Sequence, residues 1–458
     1  MEIWEKELKS NFGSAVVDKR KAVENEVHGV PRYVSEYLLG FFCEDEITEE
    51  SLKELYNYLA EHRIESKEKE RFKHILLRDG EIKIIDKFKV KIDLKTRKIK
   101  ATIPSLGITD ATVSSQVLDE NKRLLIDGLW GMGRIEMTFK NEVKLSEFKS
   151  FQLPDIEVEE LVDSRENFST EEWLNVMIST MGLNTDLYNR REKIILLSRL
   201  IPMVQDNIFM MEFGSPGTGK TYVYENISSY SRVISGSKVS APQLFYNLSS
   251  KQDGLLVQYD VLLFDEIDKI LRTGIEESVI NKLYQYLASG KFDRGDVEKI
   301  SECGIMMVGN LPRRFSKNNL LKDLLHISIT QQAFLDRLAG VVPGWELKSL
   351  PSPEKAYTRN YGFSADYFSE ILHKLRKKDY SYIKSRYTLK NCTIRDNEAI
   401  EKLIFGFIKL MYPNGKITDR ELDEILGFAV EYRQFVIDQS YNIHEKPELL
   451  KKIEFEII

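Results

Sequence analysis

The sequence predicts an α/β protein: a parallel sheet covered by helices and followed by a helical lid, preceded by a helical region and a small β-barrel-like module. Three observations carry that prediction. First, Gly214-Ser215-Pro216-Gly217-Thr218-Gly219-Lys220-Thr221 fits G-x-x-x-x-G-K-[ST] at every fixed position. An apolar run, Ile208 to Phe213, precedes it, and a stretch free of Gly and Pro, Tyr222 to Ser229, follows. This is the strand, loop and helix order of a phosphate-binding loop. Second, short apolar runs alternate with helical stretches beyond the loop, which argues for a parallel sheet covered on both faces. Third, the apolar period shortens to two from Glu81, where Lys87, Lys89 and Lys91 alternate with Phe88, Val90 and Ile92.

The loop needs these residue types. Its glycines let backbone N–H groups curl round a triphosphate, Lys220 reaches the outer phosphates, and the Thr221 hydroxyl holds Mg²⁺. A plain Gly-rich turn leaves Lys220 unexplained.

A chain of 458 residues has room for two or three domains, each with its own core. A net charge of −6 neither advertises nucleic acid nor forbids it, because a binding surface can be local. Cys43, Cys303 and Cys392 are odd in number and far apart, so neither a disulfide framework nor a zinc site is indicated and a reducing cytosol is the default. The N-terminus shows no basic region leading into an apolar core, and no run approaches the roughly 18 apolar residues of a membrane span. A soluble cytoplasmic protein without membrane contact is expected.

In chain order, residues 1–80 read as helices, with Tyr33 to Phe42 apolar and Leu52, Leu55 and Leu59 at helical spacing. Residues 81–152 read as a β-rich module. Ile84 to Lys100 holds seven Lys/Arg against two Asp, with a turn at Asp93 to Thr96 and Arg97, Lys98 and Lys100 on the return strand. This is either a solvated face or a phosphate-contacting one. Further strands are expected at Ile99 to Ile103, Leu124 to Ile126 and Arg134 to Phe139, with Gly128, Gly131 and Gly133 at tight turns. Leu153 to Asn167, broken by Pro154, reads as a linker. Ser169-Thr170-Glu171-Glu172 is a capping box that opens a helix, and a second helix covers Asp186 to Leu200.

The sheet-bearing domain spans 165–348. After the loop its elements are Arg232 to Ser235, Ala241 to Leu248, Tyr259 to Phe264, Glu276 to Ala288 and Gly304 to Gly309. Residues 349–458 read as an all-helical lid: Tyr367 to Lys377, Asp396 to Met411 and Asp419 to Asp438, the last two joined by a Tyr412-Pro413-Asn414-Gly415 turn. Pro447 to Ile458 is strand-like, without an assigned role.

About 45 residues after Lys220, Val261-Leu262-Leu263-Phe264 runs into Asp265-Glu266. A buried strand thereby delivers two carboxylates to the sheet edge, Asp265 to organise Mg²⁺ and Glu266 to polarise the water that attacks the γ-phosphate. Asn310, after Val308-Gly309, stands where an amide orients the same water, although Asn after Gly is also common turn chemistry. Arg337, in Ala333-Phe334-Leu335-Asp336-Arg337, is placed to stabilise charge at a neighbour's site, the plainer alternative being an Asp336–Arg337 surface pair.

Over residues 165–440 these landmarks resemble the AAA+ ATPase family. The resemblance makes Gly214 to Thr221 the Walker A loop, Asp265 and Glu266 Walker B, Asn310 sensor 1, Arg337 the arginine finger and Arg395, in Thr393-Ile394-Arg395-Asp396, the sensor 2 candidate. It implies a ring, usually hexameric, with ATP and Mg²⁺ between subunits. Ser289 to Lys299 occupies the place of a pore hairpin, making Lys291, Arg294 and Lys299 candidate DNA contacts against an ordinary turn.

The chain further resembles the BrxL family, the Lon-like ATPases of BREX phage-defence systems. The resemblance rests on Val30-Pro31-Arg32-Tyr33-Val34-Ser35-Glu36-Tyr37-Leu38-Leu39-Gly40, Ile85-Asp86-Lys87, Glu171-Glu172-Trp173, Leu244-Phe245-Tyr246-Asn247, Ala288-Ser289-Gly290 and Pro343-Gly344-Trp345-Glu346. It covers nearly the whole chain. It implies ring assemblies, single or stacked, on double-stranded DNA, working with other phage-defence proteins. Full-length members add a Lon-like protease domain; no residues here offer a Ser/Lys dyad, so no peptidase activity is expected of a naturally short or truncated member.

Two other readings compete. A protein-remodelling ATPase serving a separate peptidase would line its pore with an aromatic-hydrophobic-glycine loop, which Gly290-Lys291-Phe292 matches poorly. A nucleotide-gated scaffold would tolerate loss of hydrolysis.

Overall fold

The computed structural model describes residues 2–20, 30–43, 48–93, 98–125, 128–151, 156–235, 239–249, 251–267, 277–312, 314–325, 330–350, 352–447 and 450–458. The chain divides into two compact units, one of residues 21–156 and one of residues 1–20 with 157–458. The expected 1–80 helical region is therefore divided at its start.

In the smaller unit, five strands close a barrel in the order Glu81–Asp93, Lys98–Ile103, Ile108–Val113, Val143–Ser150, Leu129–Met137. Numbered along the chain this is 1-2-3-5-4. Only the third and fifth strands pair in parallel. Ile82, Ile84, Phe88 and Val90 fill the interior, as the two-residue period requires, and Lys83, Lys87, Lys89 and Lys91 alternate with them. Ile85, on the same side as the lysines, joins a second core with Val34 and Leu38 of helix Arg32–Phe42 and Leu55 and Leu59 of helix Glu49–His62. Buried Asp86 accepts backbone N–H bonds from Lys87 and Ser105 at 2.7 and 2.8 Å, and burial raises its pKa.

Several expectations change here. Residues 122–125 form a 3-10 turn instead of a strand, and Ile126 lies outside the described residues, as do Pro154, residues 94–96 of the expected Asp93 to Thr96 turn, and Arg97. Gly131 and Gly133 lie inside a strand, not at turns: a Cβ on Gly133 would stand 2.3 Å from the Phe88 ring, and one on Gly131 2.7 Å from Phe148. The aromatic filling of a narrow barrel requires these glycines. Strands Ile108–Val113 and Val143–Ser150 are additions, and the expected linker contains helix Val158–Ser164.

The larger unit is built on a five-stranded parallel sheet in the order Gly340–Val342, Phe209–Gly214, Gly304–Asn310, Val261–Asp265, Ser231–Ser235. Consecutive residues of its inner strands, such as Leu262, Leu263 and Phe264, are fully buried, as a sheet covered on both faces demands. Helix Thr170–Thr180 starts at the Ser169/Glu172 capping box. A second box, Asn189 with Glu192, starts helix Arg190–Ser198.

Residues 1–20 join this unit because their partners lie in it. Val16–Asp18 pairs antiparallel with Tyr361–Phe363, and Phe12 meets the Phe363 ring edge-on at 4.9 Å. The C-terminal segment is not all helical. Helices Ile394–Met411 and Asp419–His444 pack together, with Tyr432 of the second against Gly340 of the edge strand. Glu454–Ile457 then pairs with Tyr387–Lys390, which places part of the strand-like terminus in a two-stranded sheet. Among the described residues no helix is long and apolar enough to cross a membrane.

Candidate nucleotide site

Strand Phe209–Gly214, the loop, and helix Lys220–Asn226 follow one another as the motif requires. Gly217 and Gly219 adopt φ of +76° and +75°, a left-handed backbone that other residues reach only at a cost. The Lys220 ammonium is folded back into the loop. It donates to the Ser215 carbonyl at 2.9 Å, the Gly214 carbonyl at 3.2 Å and Asn310 Oδ1 at 3.2 Å. Burial, with a contribution from Arg199, lowers its pKa against the opposing charges of Glu212 and Asp265.

Sheet order explains why Asn310 reaches the lysine. Strand Gly304–Asn310 lies between the loop strand and the Asp265 strand, and Asn310 stands in register with Gly214. One strand further, Asp265 Oδ2 accepts from Thr221 Oγ1 at 2.7 Å, and Oδ1 accepts the N–H of Glu266 at 2.7 Å. Glu266 itself has φ +52°, an uncommon conformation for a glutamate. Nearby, burial and the Asp265 charge raise the pKa of Glu225. Lys220, Thr221, Asp265 and Asn310 thus converge at the C-terminal ends of three adjacent parallel strands, where open α/β sheets bind ligands.

Arg337 and Arg395 are not part of this cluster. The Ala339 N–H donates to Phe209 O at 2.8 Å, which fixes the chain after Arg337 at the opposite end of the loop strand. Arg395 Nη1 meets Asp336 Oδ2 at 2.7 Å, so Asp336 pairs with Arg395 and the simple Asp336–Arg337 surface pair is not what forms. Both arginines line one cleft of about 180 Å³ with Asn207, Glu398 and Lys402. Within it, Arg337 Nε is buried with no hydrogen-bond partner among the described residues.

The expected hairpin is present, Lys291–Arg294 against Val297–Ile300. Its cations have partners: Arg294 donates to Tyr246 O at 2.6 Å, Lys299 lies 3.0 Å from Asp253, and Lys291 lies 3.8 Å from Glu298. Arg294 and Lys299 thereby join it to a second small hairpin, Tyr246–Asn247 with Gln252–Asp253. On the barrel, Lys91 stands directly opposite Lys100 across the strand pair.

Arg199 and Glu212 belong to none of the sequence motifs. Both are 0% exposed. Arg199 Nε and Nη2 grip the Glu212 carboxylate at 2.9 and 2.6 Å, and Nη1 donates to the Thr218 carbonyl of the loop at 3.0 Å. The available signal is a charge inside each of two largely apolar runs, which cannot be buried unpaired.

Comparison with known proteins agrees over most of the chain. A family model described as "Lon-like protease BrxL-like, ATPase domain" matches residues 143–451, and one described as "BREX system Lon protease-like protein BrxL N-terminal" matches residues 10–139. The Lon-like protease BrxL of Escherichia coli O9:H4 (strain HS) is 32% identical over 446 residues, covering 94% of this chain and 64% of that protein. The Lon-like protease BrxL of Bacillus cereus (strain H3081.97) is 32% identical over 453 residues, covering 95% and 66%. The chain thus spans slightly less than two thirds of the length of either relative. Among solved structures, a full-length MCM homolog from Methanopyrus kandleri aligns with 78% of each chain covered, a TM-score of 0.44 and 11% identity.

Proposed function

The chain belongs to the BrxL family, and on that premise we propose that it is an ATP-hydrolysing AAA+ protein of BREX phage defence that assembles as a ring, typically hexameric, on double-stranded DNA. The observation that carries the reading is the convergence of Lys220, Thr221, Asp265 and Asn310 on three adjacent strand ends, with Glu266 next in the chain.

A hard cation such as Mg²⁺ takes oxygen ligands, commonly one or two carboxylates together with substrate phosphates. Thr221 Oγ1 and the Asp265 carboxylate, 2.7 Å apart, are a donor set of that kind. When bound, Mg²⁺ neutralises charge on the phosphoryl group being transferred. Lys220 exchanges its loop carbonyls for the outer phosphates of ATP. Glu266 polarises and aims the attacking water, and Asn310 helps to hold both that water and the lysine.

Arg337 and Arg395 act on the nucleotide of a neighbouring copy. A six-residue strand is roughly 17 Å long, beyond the reach of one side chain from its far end. Arginines at the Phe209 end therefore cannot serve the loop at the Gly214 end of their own sheet. Arg337 and Arg395 line the same cleft, with Arg395 paired to Asp336.

DNA is met by the barrel and the hairpin. Lys91 opposite Lys100 costs stability unless an anion lies over the pair. Five-stranded Greek-key barrels of the OB type use such a strand face for oligonucleotides. With Arg294 and Lys299 engaged in joining the hairpins, Lys291 is the hairpin's contact residue, together with Lys87, Lys89 and Lys91 on the barrel. Phe292, the hairpin's one aromatic residue, is buried against Phe245 and Tyr286, which disfavours a polypeptide-gripping pore.

The test is ATP turnover and duplex-DNA affinity measured from about 50 to 200 mM salt. Each phosphate contact contributes about 0.9 to the logarithmic salt slope, so Lys91→Gln and Lys100→Gln should each flatten it by about that amount. Salt-independent binding, or turnover that DNA does not stimulate, would refute the proposal.

A further inference from the structure

A glycine-rich loop can point its peptide groups to either side, whereas a phosphate cradle needs consecutive N–H groups on one side. Here three consecutive loop carbonyls are held from outside the loop. Pro216 O accepts from Ser349 Oγ at 2.9 Å, Gly217 O from the Leu350 N–H at 2.8 Å, and Thr218 O from Arg199 Nη1 at 3.0 Å. In a planar trans peptide the N–H points away from the C=O of the same unit. Holding these carbonyls therefore turns the N–H groups of Gly217, Thr218 and Gly219 away from Ser349, Leu350 and Arg199.

Arg199 is itself held at both its side chain and its backbone. Glu212 binds it bidentately, the strongest geometry available to a guanidinium–carboxylate pair. Its own carbonyl accepts from Tyr224 OH at 2.6 Å. Glu212 lies in the strand before the loop and Tyr224 in the helix after it, so one residue ties together the loop's entry, crest and exit.

We propose that Arg199, seated on Glu212, is a positioning residue that acts with Ser349 and Leu350 to aim the loop amides at the phosphates of a bound nucleoside triphosphate. The proposal rests on the loop being a phosphate site and adds what orients it. A purely structural pair would be replaceable, because a buried ion pair exchanged for apolar residues of similar volume often leaves the fold intact, whereas removing one partner does not.

The test uses the full chain carrying Arg199→Met together with Glu212→Leu, and separately Ser349→Ala, whose site is exposed. ATP and ADP dissociation constants, the nucleotide-free unfolding midpoint, and kcat against KM are measured for each. The double variant should keep its unfolding midpoint and lose nucleotide affinity at least about tenfold, with KM rising more than kcat falls. Ser349→Ala should weaken ATP a few-fold with the midpoint unchanged, a result that stays informative if the double variant fails to fold. Wild-type ATP affinity in either variant overturns the proposal. Lys220→Ala separates the two levels: if it loses ATP while the other variants bind normally, only the positioning role fails, and if it binds normally the phosphate-site reading fails as well.

Discussion

Glu266 offers a test in which stability and activity separate. Its φ of +52° places it in the left-handed region, at the exit of strand Val261–Asp265, where its N–H is tied to Asp265 Oδ1. A side chain in that region costs about 1–2 kcal/mol, a cost that glycine does not bear. In ordinary helix or strand backbone the order is reversed, glycine being worse than alanine by about 0.5–1 kcal/mol. Glu266→Gly should therefore be more stable than Glu266→Ala by about 1 kcal/mol. Comparing these two variants cancels the lost glutamate contacts, which both lack. For turnover, loss of a water-polarising carboxylate costs about 10²- to 10⁴-fold, and Glu266→Gln should show that loss with the side-chain shape preserved. ATP affinity should stay within a few-fold in all three, since Lys220, Thr221 and Asp265 are untouched. Urea unfolding of nucleotide-free protein, equilibrium ATP binding and single-turnover phosphate release measure the three quantities. Alanine equal to or above glycine in stability would show that no backbone strain is stored at 266, and turnover by Glu266→Gln within threefold of wild type would remove the residue from the chemistry.

Arg337→Ala should bind ATP and lose turnover by about 10³- to 10⁵-fold. Mixing it with the Glu266→Gln protein should recover activity at interfaces that combine an intact Glu266 with a neighbour's Arg337, and the absence of recovery would place Arg337 outside a shared site. Phe12 is buried and edge-on to Phe363, so Phe12→Ala should destabilise the larger unit by about 3–5 kcal/mol; a loss below about 1 kcal/mol would mean that residues 1–20 are not integral to it. Burial raises the Asp396 pKa, but the Arg433 charge and bonds from Lys451 and Thr393 outweigh it and hold the carboxyl below its usual range. A depressed carboxyl contributes stability above its unfolded pKa and loses it as the carboxyl protonates, here below about pH 4. Asp396→Asn should remove that acid-dependent loss and, by leaving buried Arg433 uncompensated, cost about 3–5 kcal/mol at neutral pH; an unchanged acid limb would refute the coupling.

What was legible in the sequence is what is local in the chain. The loop, the Asp265-Glu266 pair and the Ser169 capping box each lie in a few consecutive residues whose types are set by the geometry they adopt. The long strand Glu81–Asp93 was legible because one side is buried and the other solvated along much of its length. Strand Ile108–Val113 was not, since only Ala111 of its six residues is fully buried and no alternation survives. Gly131 and Gly133 read as turns because a glycine required by a neighbouring ring is indistinguishable, in sequence, from one required by its own backbone. Sequence proximity assigns the first twenty residues to the wrong unit because their strand partner, Tyr361–Phe363, lies more than 300 residues away.

The site divides along the same line. A motif names the atoms that meet phosphate but not the groups that hold those atoms in place, and for this loop the latter come from Arg199, Ser349 and Leu350. Charge in an apolar run is the signal that reaches such groups. Glu212 interrupts Phe209 to Phe213, and Arg199 interrupts Ile194 to Val204. Neither run can be buried with an unpaired charge inside it, so two opposite charges thirteen residues apart in two apolar runs are each other's natural partners. The same rule joins Asp396 to Arg433 across helices Ile394–Met411 and Asp419–His444. Arg337 meets the opposite condition: its Nε is buried without an acceptor among the described residues, at the end of the loop strand opposite the loop. The Arg337 Nη1 group donates to the Ala333 carbonyl, and whether the remaining donors meet a neighbour's phosphate is what the mixing experiment with Glu266→Gln decides.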